Sequence, residues 1–364
     1  MRKSLCAAVM IGVMIITVCA CGFKDIDNRF FVIAVGIDQG KAHMYKISLM
    51  LDIPHAKTQP GESRALVVSN EADTIAEAVR QLKSKVDKEL DFGQCKIFII
   101  GKSFAKAYEM SKSIDWIYRR RDIQQIANIA IGEPDAETVL NANPMSERIR
   151  GNALILALSG DGTESPYIVK EPIFDLFRRM HSHGINAYMP IVRSEEKSLV
   201  IDRVMIFKDT RAKLELTPEE TASFNQIARS YKRFIIKTKV DGNPVTFSGT
   251  NLQVRYRFAP SESDPTEVRF HIRAEADLED AATELYEMNW NKIEQIVAEQ
   301  LKSEYESLLL KLQEHGVDPI GLGIRYRADN HKRELEIEKW KKIYPRLRFN
   351  VNVRVFFKST GIIE

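Results

Sequence analysis

The chain has 364 residues, with 53 lysines and arginines against 50 aspartates and glutamates, and a formal net charge of +3. That length suits two or three domains, each able to bury its own core. Hydrophobic residues at 44% and charged residues at 28% are ordinary globular values, which excludes disordered and collagen-like classes, and the near balance of charge gives no reason to expect nucleic acid as a partner.

At the N-terminus, Arg2 and Lys3 precede an uncharged apolar run over residues 5–20. The run is shorter than the roughly 20 residues of a spanning helix and has the form of a secretory signal peptide. It ends Val18-Cys19-Ala20-Cys21-Gly22, the pattern of a bacterial lipobox: a small residue precedes the cysteine that receives a diacylglycerol. Residues 1–20 therefore read as a signal peptide, Cys21 as the lipidation site, and 21–28 as a lipid-anchored tether. Two acyl chains make such an anchor stable. Only Cys95 then remains in the folded part, so no intrachain disulfide can form and the core must hold the fold. Cys95 opens an apolar run over 95–100 and reads as a small buried hydrophobe.

Residues 30–37 are nearly all apolar and β-rich, as in a central strand covered on both faces. A second strand is expected over 44–51. Apolar residues at helical spacing predict a helix over 74–86, from Ile75, Ala78, Val79 and Leu82 to Val86. Strands are expected at 97–100 and 126–131, and helices at 134–140, 146–158 and 171–181. A mixed α/β domain over 29–193 follows, closed by a polar link at 194–197. The second region, 199–364, opens with a strand at 200–207 and a capping box at Thr217-Pro218-Glu219-Glu220 that starts a helix. Strict alternation at 252–258, 268–274 and 347–355 predicts strands with one buried and one wet face, typical of an antiparallel sheet. A long helix lies between them, with Tyr286, Trp290, Ile293, Val297, Leu301, Tyr305, Leu308 and Leu312 forming one stripe, ended by Gly316 and Pro319. The fold class is thus α+β or mixed α/β with several domains, the C-terminal half being either one region or two subdomains.

Chemistry-bearing motifs are sparse. Gly101-Lys102-Ser103 lacks the upstream glycine of a phosphate loop, since Lys96 stands there. His181 and His183 face apart on a helix and suit its C-terminal end better than a metal. No catalytic residue, metal ligand or cofactor site is nominated, and the chain reads as no enzyme. Arg119-Arg120-Arg121 forms a short basic cluster. Arg255, Arg257, Arg269, Arg273, Arg348 and Arg354 fall on the wet positions of the alternating strands. They form either a solvated face that keeps a sheet from aggregating or a contact for an acidic surface, a partner protein or anionic headgroups.

Several segments, in order and spacing, resemble the Ger(x)C family of spore germination proteins. They are the lipobox with Asp25-Ile26-Asp27-Asn28, Val32-Ile33-Ala34-Val35-Gly36-Ile37-Asp38, Leu90-Asp91-Phe92-Gly93-Gln94-Cys95-Lys96, Tyr188-Met189-Pro190, Val204-Met205-Ile206-Phe207-Lys208, and Asp318-Pro319-Ile320-Gly321-Leu322-Gly323 followed by Trp340. Phe23 and Gln94 depart from the family's usual tryptophan and histidine. The resemblance implies three mixed α/β domains. It also implies a non-catalytic lipoprotein subunit of a germinant receptor, needed for nutrient-triggered germination and partnered by integral-membrane A and B subunits. The implied location is a lipid anchor on the outer face of the spore inner membrane. The alternative is a substrate-binding lipoprotein of a transporter, which would have two similar lobes around a cleft.

Overall fold

The computed structural model describes residues 28–53, 64–144, 150–159, 165–195, 198–230, 233–240, 242–259, 266–281, 289–329 and 335–358. The signal peptide 1–20, Cys21 and the tether to residue 27 lie outside them, as do Gly160-Asp161-Gly162 and Tyr286.

Strands β1 (Arg29–Gln39), β2 (Tyr45–Ile53), β3 (Arg64–Ala72), β4 (Glu89–Asp91), β5 (Ile97–Gly101), β6 (Asn128–Glu133), β7 (Tyr188–Glu195), β8 (Ser198–Lys208) and β9 (Arg211–Leu216) form one nine-stranded sheet. The order is β3-β2-β1-β5-β6-β7-β8-β9, with β4 beside the start of β1. The middle strands β1, β5, β6 and β7 run parallel and the flanking pairs antiparallel. From the same stretch come helices α1 (Ile75–Lys83), α2 (Lys102–Ala107), α3 (Ser111–Arg119), α4 (Ala136–Asn141), α5 (Arg150–Ser159) and α6 (Ile173–His181). They explain the uninterrupted apolar runs of the central strands. Val35, Ile37, Phe98 and Ile100 pack against α1, α2, α3 and α6, while Ala34, Ile97, Ile99 and Ala130 pack against α4 and α5 on the other face. Cys95 is fully buried, and burial pushes its thiol up to about 12, so it is unreactive packing.

The second sheet joins β10 (Phe234–Val240), β11 (Asn243–Phe258), β12 (Glu267–Ala281) and β13 (Arg348–Phe357) in chain order. Strands β10 to β12 are antiparallel, but β13 runs parallel to β12, which alternation alone does not reveal. The physical reason is the long crossover: α8 (Trp290–Glu314), α9 (Leu322–Asp329) and α10 (Leu335–Ile343) return the chain to the strand's starting end. Helix α8 lies where its stripe predicts, burying Ile293, Val297, Leu301, Tyr305, Leu308 and Leu312 in one core with Phe247, Phe270, Val351 and Val355. Helix α7 (Pro218–Arg229) begins at the full capping box of Thr217 and Glu220.

The polar link at 194–197 is not an edge between sheets. Strand β8 follows it and hydrogen-bonds straight back onto β7, and β9 adds to β8. Their two faces serve different cores. Met205 and Phe207 point into the first, while Val204, Ile206, Leu214 and Leu216 belong to the second with α7 and α8. Among the described residues, the chain forms two sheets, and the β7–β9 wall contributes to the cores beside both.

Candidate interaction surface and buried polar joints

The outer face of the second sheet carries the arginines. Arg255, Arg257, Arg273, Arg348 and Arg354 are exposed and Arg269 is half-buried. Pairing register turns the sequence stripe into rows: Arg257 opposite Arg269 and Asn350, Arg255 opposite His271 and Asn352, Gln253 opposite Arg273 and Arg354. Two carboxylates on this face pair with its basic side chains. Glu267 pairs with Arg269 at 2.5 Å, and Glu275 pairs with Lys358 at 2.5 Å and with Arg273 at 3.5 Å. The Arg273 guanidinium also lies 4.4 Å over the Phe356 ring. The face therefore has the planar donors that carboxylate or phosphate oxygens fit.

In the other basic cluster, Arg120 is engaged locally. Arg120 pairs with Asp122 and covers the rings of Phe92 and Trp116, at 4.1 and 5.2 Å, so it is a packing residue. Arg119 remains exposed beside Asp115 at 3.7 Å. His181 donates from Nδ1 to the Phe177 carbonyl, 2.9 Å away, as a helix end requires. Lys102 is likewise structural. Its Nζ lies 2.7 Å from both Glu133 and Glu215, and Arg203 bridges the same two carboxylates. Burial opposes its charge, but the two hydrogen bonds outweigh that and hold Lys102 above its ordinary value. This network stitches β6, β8 and β9 together.

Three buried carboxyls sit at joints of the fold. Asp38, at the end of β1, accepts from the N–H groups of Ala136 and Glu137 at 2.8 and 2.9 Å and so caps α4. Asp318 accepts from the N–H groups of Gly321, Leu322 and Gly323 at the start of α9. The same loop is bolted to the entry of β7. Asn186 N–H donates to the Asp318 carbonyl at 2.8 Å, and Asp318 N–H donates to the Asn186 side chain at 2.7 Å. Glu171 is buried within ion-pair distance of Arg179, 3.4 Å, yet neither of its oxygens receives an aligned hydrogen bond. Burial therefore dominates and pushes it up to about 8, against the opposing pull of Arg179 and Arg229.

A polar groove of about 440 Å³ runs between α7, α8 and β10, lined in part by Glu219, Ser223, Gln226, Gln300 and Glu304. Its floor is committed to packing: Gln226 accepts from the buried Tyr305 hydroxyl at 2.5 Å, and Gln300 donates to the Lys237 carbonyl at 2.8 Å. Among the described residues no three His, Cys, Asp or Glu side chains converge as metal ligands. No described helix is long and apolar enough to cross a membrane.

The sequence placed Arg255, Arg257, Arg269 and Arg273 on one wet face, and the structure places them there. It did not reveal which arginines stand opposite one another, because register depends on turns and bulges such as those at Gly249/Asn251 and Thr246/Phe247. The capping roles of Asp38 and Asp318 have no local sequence signature beyond the glycine-containing run that each ends or opens.

Comparison with known proteins covers almost the whole chain. Residues 22–194 match the spore germination protein N-terminal domain, and residues 202–361 match the spore germination B3/GerAC-like C-terminal domain. Spore germination protein B3 of Bacillus subtilis (strain 168) is 22% identical over 369 residues, covering 96% of each chain. Spore germination protein GerQC of Bacillus cereus is 20% identical over 313 residues, covering 84% of this chain and 85% of that one. The crystal structure of the GerBC protein superposes with a TM-score of 0.54 at 14% identity, covering 89% of this chain and 96% of that chain, and so shares the fold. With both halves matched in order, the chain belongs to the Ger(x)C family of spore germination proteins.

Proposed function

We propose that this protein acts in spore germination as the lipid-anchored, non-catalytic subunit of a germinant receptor and is needed for the response to nutrients. One observation carries the reading: both family domains match in sequence order, over residues 22–194 and 202–361, so the kinship extends through the whole architecture rather than one shared module. The partners are integral-membrane A and B subunits, and the site of action is the outer face of the spore inner membrane. The residues that most resemble catalytic ones have structural work. Lys102 is held in an ion-pair network and Cys95 is sealed in the core. A transporter's binding lipoprotein would have two similar lobes. Here a nine-stranded mixed sheet adjoins a four-stranded one, which favours the receptor reading.

The anchor is tested by Cys21→Ala. Without acyl chains the protein loses the hydrophobic hold that two chains supply, so its membrane retention should fall and germination should slow in parallel. A variant that remains fully membrane-bound and spanning, with an unchanged germination rate, would refute the lipoprotein reading.

A further inference from the structure

We propose that the arginine face of β11, β12 and β13 docks on phosphate headgroups, the anionic leaflet of the membrane that carries the protein. The inference rests on the lipoprotein reading above, which brings that leaflet within reach, and deepens it by assigning the contact surface.

The first support is the register. Arg257 stands directly opposite Arg269, and Arg273 directly opposite Arg354. Directly opposed side chains on adjacent strands have Cβ atoms about 4.5–5.5 Å apart, and like charges there are destabilising. Arg269 and Arg273 each have a carboxylate on their own strand, Glu267 and Glu275, whereas Arg257 and Arg354 across from them have none among the described residues, so an external anion completes the pairing at those two positions.

The second support is the charge count. Glu267 is taken by Arg269, and Glu275 by Lys358 and Arg273. Arg255, Arg257 and Arg354 have no carboxylate within ion-pair distance among the described residues.

The third support separates a headgroup layer from an acidic protein. Protein interfaces have an apolar or aromatic core inside a polar rim. Between the arginines here stand Gln253, His271, Asn350 and Asn352, all polar, and the one large exposed apolar side chain of β13, Phe356, lies beside Arg273 at the edge. A flat patch of forked donors and amides, without an apolar centre, suits a hydrated phosphate surface. The charged positions on the three strands' basic rows are arginines, whose planar fork engages two phosphate oxygens at once.

The test uses residues 22–364 without acylation, which keeps every described element, since the first begins at Arg29. Binding is measured to phosphatidylcholine vesicles, to vesicles that also contain phosphatidylglycerol, and to polyglutamate. The protein should sediment with the anionic vesicles only, less so as salt rises. Headgroup attraction of about 1 kcal/mol per basic residue means that Arg255→Glu/Arg257→Glu/Arg273→Glu should weaken this binding by at least 100-fold, with the unfolding transition retained. Should that variant fail to fold, the triple Arg→Gln variant should show the same direction with a smaller loss. Equal binding to neutral and anionic vesicles, equal binding by a folded variant, or preference for polyglutamate would each overturn the proposal. Vesicle binding by a protein whose gene can be deleted without effect on germination would remove the receptor reading and leave the contact standing.

Discussion

Asp318→Ala is expected to destabilise the folded chain by about 3–5 kcal/mol, because it strands several buried donors at once and each unsatisfied group costs about 1–3 kcal/mol. The Asp318 carboxylate accepts from Gly321, Leu322 and Gly323 N–H at 2.8, 3.1 and 2.8 Å, and the residue is 4% exposed, so water cannot substitute. The damage spreads because this loop is the bolt between the two halves. Asn186 exchanges two hydrogen bonds with Asp318, and Ile324 N–H donates to the Gly184 carbonyl at 3.0 Å. Gly184 and Gly323 meet so closely that a Cβ on Gly323 would lie 2.7 Å from the Gly184 Cα. Denaturant unfolding should show the loss directly, and a change below about 1 kcal/mol would contradict the bolt. Asp318 also carries a pH signature. Burial, opposed by those N–H donors, raises its pKa from 3.8 to about 6. A raised carboxyl contributes stability that is fully present below 3.8 and lost as pH rises through about 6. Asp318→Asn should therefore remove that part of the pH dependence while costing less than alanine at neutral pH.

Gly101→Ala should be nearly as damaging, about 3 kcal/mol or more, for a substitution of one methyl group. An added Cβ would lie 2.0 Å from Asp38 Oδ1 and 3.1 Å from its Cγ. Asp38 has nowhere to go, since both its oxygens are held by the first N–H groups of α4. Nor can β5 retreat, being paired with β1 on one side and β6 on the other. Either the cap is broken or the central strands part. The two residues should accordingly be coupled: once Asp38→Ala has removed the carboxylate, adding Gly101→Ala should cost far less than it does alone. Strict additivity in a double-mutant cycle of unfolding free energies would show that the clash is relieved elsewhere.

The legible parts of the fold were those with strong periodicity. The stripe of α8 from Ile293 to Leu312 and the alternation of β11, β12 and β13 each bury what their pattern says. Strand β3 and the short helices α2 and α3 escaped notice because edge and capping elements bury few residues and leave weak patterns. The parallel direction of β13 is decided by the helical crossover, and the sharing of β7–β9 by both cores is decided by side chains on opposite faces of one strand. Neither is a local property. At the surface, alternation located the arginines, but their charge-on-charge opposition needed the register. For Asp38, Lys102 and Asp318 the partners lie 98, 31 and 132 positions away in the chain for at least one bond each, beyond the reach of any window reading.

The central claim, that this chain is a working subunit of a germinant receptor, is tested most directly by deleting its gene and following spore germination with individual nutrients. The account predicts loss of the response to at least one nutrient, restored by the intact gene and not by the Cys21→Ala form. Germination at the parental rate with every nutrient to which the parent strain responds would contradict it.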